Sequence, residues 1–174
     1  MDPHLARLQR EVTSAASGFL PETLDWHPPQ KWSAAQIFEH LYLTYTGTTK
    51  GFRRLLESGK PPEPSAATLK RRMQAFIVTG LGYLPSGRKS PPAGQPRGLP
   101  SEKIMAEIAA KIAEMDEILA RCAVTFGPRA KVLDHPLLGP FSVAQWRKFH
   151  LVHGLHHVQQ LHRLRESIHS STKS

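Results

Sequence analysis

Apolar residues recur every three or four positions over four long stretches of this chain, and proline and glycine separate the stretches. From about Pro3 to Gly18, Leu5, Leu8, Val12 and Ala15 share one helical face. Pro3 suits an opening turn and Gly18 an end. After a link broken by Pro21, Pro28 and Pro29, a second helix is expected from Ser33 to about Ser58. Ser33 and Gln36 are spaced as a capping box, and Ile37, Leu41, Thr44, Thr48, Phe52 and Leu55 form its inner stripe. Gly59 and Pro61 end it. A shorter amphipathic piece, about 66–79, carries Leu69, Met73, Phe76 and Ile77.

Ser101 reads as the cap of a third long helix reaching about Cys122, with Ile104, Ile108, Ile112, Met115, Leu119 and Cys122 as its stripe. A second capping box, Ser142 with Gln145, opens the last helix, which runs to about His169. No stretch sustains the period-two alternation of a half-buried strand, and no repeat is present. The expected fold class is therefore all-α, a single four-helix-bundle domain over residues 1–174. The link between the second and third long helices is about 40 residues long, against the roughly 2–8 that join antiparallel neighbours. That length predicts parallel helices joined by a crossover, hence an up-down-down-up order.

Composition narrows the chemistry. No apolar run approaches the roughly 20 residues that span a bilayer, and the N-terminus lacks the basic stub and apolar block of an export signal. A cytoplasmic protein is expected. The lone Cys122 excludes an internal disulfide and a thiolate-rich zinc site, so a metal here would need histidine or carboxylate ligands. Lysine and arginine total 23 against 14 acidic residues, a formal charge of +9. These cations are scattered and lack interleaved aromatics, so neither nucleic acid nor membrane is expected as a partner. An unidentified small-molecule substrate is expected, and a homodimer is compatible with the sequence.

Five of the ten histidines fall between Phe149 and Arg165. At about 100° per residue, Trp146, His150, His153, His157, Leu161 and Leu164 share one face; His156 sits at its edge, while His162 and His169 point elsewhere. Imidazoles in an apolar seam need partners, because an unpaired buried polar group costs about 1–3 kcal/mol. His153 and His157, four apart, can address one ion, and a third ligand should come from an opposed helix. His40, beside the stripe of the second helix, is the natural third. Thr44, Gly47 and Gly51 follow it at helical spacing and leave room for a ligand. By spacing alone, a second reading stands equal: His40 is a histidine bonded to a carbonyl, and the glycines serve tight packing. Gly154 is read as permitting close helix approach, His135 as stabilising its Pro-flanked turn, His156 as exposed, and Glu39 as pointing away from the ion.

Three segments taken together carry a resemblance: WSAAQIFEHL at Trp32 to Leu41, HPLLGPFSVAQW at His135 to Trp146, and HLVHGLHHVQQ at His150 to Gln160. They resemble the DinB/YfiT-like family of metal-binding four-helix bundles, over most of the chain from Trp32 to Arg165. The resemblance implies a divalent metal, nickel, zinc or iron, held by His40, His153 and His157, and the same long crossover. It also implies either an amide hydrolase or a transferase using a low-molecular-weight thiol as cosubstrate. His150 and Gln160 are expected to orient a ligand, His150 alternatively to be one. The link from Gly80 to Pro100, with Tyr83, Arg88 and Arg97, reads either as a lid that contacts substrate or as a solvated crossover. The competing functional class is a non-catalytic metal- or ligand-binding, stress-related bundle.

Overall fold

In the computed structural model the described residues are 1–60, 63, 65–85 and 90–171, without the side chain of Ser171. Pro61 and Arg88 therefore lie outside the described residues. Five α-helices appear in chain order: α1 (Pro3–Ala16), α2 (Ala34–Ser58), α3 (Leu69–Thr79), α4 (Ser101–Phe126) and α5 (Val143–Ser171). Between α4 and α5 lie two short strands, β1 (Lys131–His135) and β2 (Gly139–Ser142). The protein is mostly helical with a small two-stranded sheet, so the all-α expectation is corrected.

Local chemistry explains the helix ends. Asp2 caps α1 by accepting the His4 N–H at 2.9 Å. Ser33 accepts from the Gln36 N–H at 3.2 Å while Gln36 accepts from the Ser33 N–H at 3.0 Å, the reciprocal pair that satisfies two free amides. Ser142 and Gln145 repeat it at the start of α5. Helix α2 ends at Gly59, which takes φ 67, a left-handed conformation glycine adopts without a Cβ clash. Ser101 is not a cap: it is the first helical residue of α4, and Pro100 precedes it with no side-chain cap. The hairpin was missed because its strands are short and turn at a proline. Gly139 closes the turn with φ 84, and the His135 ring accepts from the Leu137 and Leu138 N–H groups at 3.2 Å each. Trp146 fastens the hairpin to α5 by donating its indole N–H to the Leu133 carbonyl at 3.1 Å.

Contacts between helices give their directions. Along α2 and α4 partners climb together, Tyr42 with Glu107 and Phe52 with Cys122. Along α1 and α5 they do so too, Asp2 with Arg147 and Leu8 with Gly154. Across α2 and α5 they run in opposition, His40 meeting His153 and Phe52 meeting Trp146. All four residues of the α1 stripe and all six of the α4 stripe are buried; in α2 only Thr44 of the expected set is half-buried. Gly154 is needed where α5 meets α1: an added Cβ would stand 2.1 Å from a Leu8 methyl. The short helix departs from expectation. Ala75 and Val78 of α3 face the core, and Leu69, Met73 and Phe76 face outward.

Candidate metal centre

The α2 and α5 backbones, running in opposition, bring three imidazoles to one point. The ligand atoms of His40, His153 and His157 all lie within 4.8 Å of one another, and all three residues are buried. The Nε2 atoms of His40 and His153 are 3.0 Å apart, and those of His157 and His153 are 3.2 Å apart. Donors held about 2.0–2.1 Å from a tetrahedral ion stand roughly 3.3 Å from each other, so the spacing suits a shared cation.

The outer nitrogens decide which protons the rings carry. His40 turns Nδ1 to the Gly94 carbonyl at 2.6 Å. A carbonyl only accepts, so this nitrogen holds the proton and Nε2 presents a lone pair. The His157 Nδ1 meets the Gln160 Oε1 at 2.9 Å, while the Gln160 amide nitrogen meets the His156 ring at 3.0 Å. That arrangement makes the His157 Nε2 a lone pair as well. His153 stands between them with at most one proton on Nε2 to share between two lone pairs, and its Nδ1 has no partner among the described residues. Two or three lone pairs therefore converge in a buried place, which is unfavourable until a cation accepts them.

Burial favours the neutral, ligating form. It pushes His157 down to about 3, and the closeness of the His40 imidazole, which resists a second positive ring beside it, adds to the effect. His153 falls well below the ordinary histidine value through burial and then the neighbouring imidazoles. His40 is lowered by burial, partly opposed by its bond to Gly94. Three neutral imidazoles at pH 7 can hold a metal ion. A cleft of about 1460 Å³ opens beside them, with Trp32, Thr44, Phe149 and Gly94 among its walls. The triad is thus reachable on one side and packed on the other.

The remaining candidates divide. Gln160 touches His157, as expected of a residue that orients a ligand. His150 does not join the cluster: it is fully buried, stacks on Trp146 with centroids 5.6 Å apart, and neither ring nitrogen has a partner among the described residues. His156 is half-buried rather than exposed, because Gln160 draws it in. Thr44 and Gly47 line the cleft, whereas Gly51 faces Leu133, a methyl of which would lie 3.0 Å from an added Cβ.

Sequence reasoning missed three contributors. Gly94 supplies the carbonyl for His40 from a loop 54 residues away, which no spacing rule reveals. Glu39 does turn from the triad, but it is buried and accepts the Arg97 and Gly98 N–H groups at 2.6 and 3.0 Å. The crossover is thereby tied to α2 at both Glu39 and His40. Phe149 stacks on His153 at 5.4 Å and 15°, a contact its four-residue offset could have signalled. Arg97 enters through its backbone, and Tyr83 is exposed.

One family model, described as "Protein of unknown function (DUF1569)", matches residues 7–164. The chain belongs to that family. No curated protein and no solved structure matches it.

Proposed function

We propose that this DUF1569 chain is a divalent-metal-dependent enzyme with a DinB-like bundle fold, acting as a hydrolase or as a low-molecular-weight-thiol transferase. The observation that carries the reading is the meeting of three buried, neutral imidazoles at 3.0 and 3.2 Å with their lone pairs directed inward. The helix directions, α1 and α5 against α2 and α4, support an up-down-down-up bundle. The long crossover agrees, and its attachment to His40 and Glu39 makes it a wall of the site.

A divalent cation at the triad, whether nickel, zinc or iron, supplies Lewis acidity, lowering the pKa of a water or thiol and polarising a carbonyl. This chain's residues do the rest. His40, His153 and His157 bring no negative charge, so the full charge of the ion stays available to an anionic ligand. Gly94 and Gln160 fix the rings of His40 and His157 against rotation. Trp32 packs against the His40 ring and Phe149 stacks on the His153 ring, which holds both imidazoles in place beside the cleft. The cleft favours catalysis over the alternative of a purely structural ion, since a closed four-ligand site would leave no position for substrate. A single buried Cys122 fits a reducing cytoplasm.

The test is elemental analysis of protein purified without an affinity tag, followed by turnover assays on amides and on electrophiles with and without small thiols. About one ion per chain and metal-dependent turnover are expected. Stoichiometric metal with no turnover in either assay would favour the non-catalytic alternative.

A further inference from the structure

The outward face of α3 stands apart from the rest of the surface. Leu69 is 81% exposed, Phe76 61% and Met73 58%, and the exposed Leu81 and Tyr83 follow directly. At about 100° per residue, Leu69, Met73 and Phe76 fall within roughly 60° of one another, opposite the buried Ala75 and Val78. They form an exposed apolar ridge. Lys70 and Arg72 flank it at about +100° and −60° from Leu69. Neither forms an ion pair among the described residues, and both are exposed.

Sequence extends the charge argument. Between Glu63 and Glu102 the chain contains no acidic residue, yet it holds Lys70, Arg71, Arg72, Arg88, Lys89 and Arg97. On α3 itself Lys70, Arg71 and Arg72 follow one another, with no acidic residue in the helix to offset them. Isolated exposed apolar side chains need no explanation, but a contiguous ridge rimmed by cations does. No described helix is long and apolar enough to cross a membrane.

We propose that α3 is a docking ridge for an anionic lipid surface, with Leu69, Met73 and Phe76 entering the headgroup layer and Lys70 and Arg72 facing lipid phosphates. This departs from the expectation that no membrane is a partner. Apolar insertion combined with flanking lysine and arginine is the chemistry of helices that lie in the interface plane. A second copy of the chain fits less well, because a two-fold pairing of this ridge would set the same cations against each other. A headgroup layer yields around exposed apolar side chains without needing a complementary groove. Met73 and Ile77 also line the cleft, so the docked face is continuous with a wall of that cleft.

The experiment is sedimentation of the full chain with vesicles of phosphatidylglycerol and phosphatidylcholine, beside pure phosphatidylcholine vesicles, at low and high salt. Binding to the anionic vesicles is expected, weakening about tenfold or more as salt screens the cations. Met73→Glu with Phe76→Glu, and separately Lys70→Glu with Arg72→Glu, should each reduce it about tenfold or more while circular dichroism stays unchanged. Emission from Phe76→Trp should shift to the blue when anionic vesicles are added. His153→Ala should bind vesicles like the parent chain, since docking does not depend on the metal reading. Absence of binding at low salt, equal binding by the Met73/Phe76 variant, or a salt-sensitive dimer that Phe76→Glu dissociates would each overturn the proposal.

Discussion

His150 and His153 stand one turn apart on the same face of α5, and their rings occupy opposite surroundings. His153 meets His40 and His157 nitrogen to nitrogen at 3.0 and 3.2 Å beside an open cleft. His150 is enclosed by Trp146, Phe149 and Tyr45, and neither its nitrogens nor the Tyr45 hydroxyl has a partner among the described residues. Both rings are neutral because burial opposes their charge. Burial alone therefore does not make a site. What separates the two is convergence: His153 has opposed donors and a route to solvent, whereas His150 has aromatic walls.

The contrast can be broken most forcefully at its centre. His153→Ala should lower metal affinity more than about 100-fold, because two imidazoles held at the remaining corners do not retain an ion well. Competition with a chromophoric chelator measures it; unchanged affinity would dissolve the distinction. Acid is next. Burial holds His135 at about 4 and His150 at about 3, so the folded chain refuses protons that the unfolded chain accepts below about 6.5. Stability of the metal-free protein should be flat above that pH. It should fall as pH drops from 6.5 towards 4, by up to about 1.4 kcal/mol per unit for each such group. Denaturant midpoints at pH 7, 6 and 5 would reveal it, and a flat profile would show that these rings are not sealed.

Smaller changes sharpen the comparison. Gln160→Ala frees the His157 Nδ1 and should weaken metal binding about 10–100-fold, less than loss of a ligand. His150→Leu removes two unpaired nitrogens from an aromatic cage and should raise stability by about 1–3 kcal/mol with metal affinity unchanged. A fall in metal content there would assign His150 to the site. His162→Ala, on the exposed side of α5, should change neither quantity.

Helix periodicity made α1, α2, α4 and α5 legible, since each buries its stripe apart from the half-buried Thr44 of α2, and three of them begin with a recognisable cap. The same rule placed His153 and His157 together, because their meeting is set by the geometry of one helix. Bringing His40 to them was not decided by spacing, which left its two readings equal; the resemblance of the Trp32 to Leu41 segment named it as a ligand. Where tertiary context governs, the reading stopped short. The roles of Gly94 and Glu39 depend on how a proline-rich loop lies across α2, and no local pattern encodes that. In α3 the apolar stripe was legible but its direction was not, since Ala75 and Val78 are small enough to pack while the larger residues face outward.

The central claim is that three imidazoles from two opposed helices share one cation. X-ray absorption at the edge of the bound metal counts imidazoles directly through their ring scattering. We predict three in the parent protein and two in His157→Ala wherever metal can still be loaded. A parent spectrum without imidazole scattering, or one unchanged by that substitution, would contradict the account.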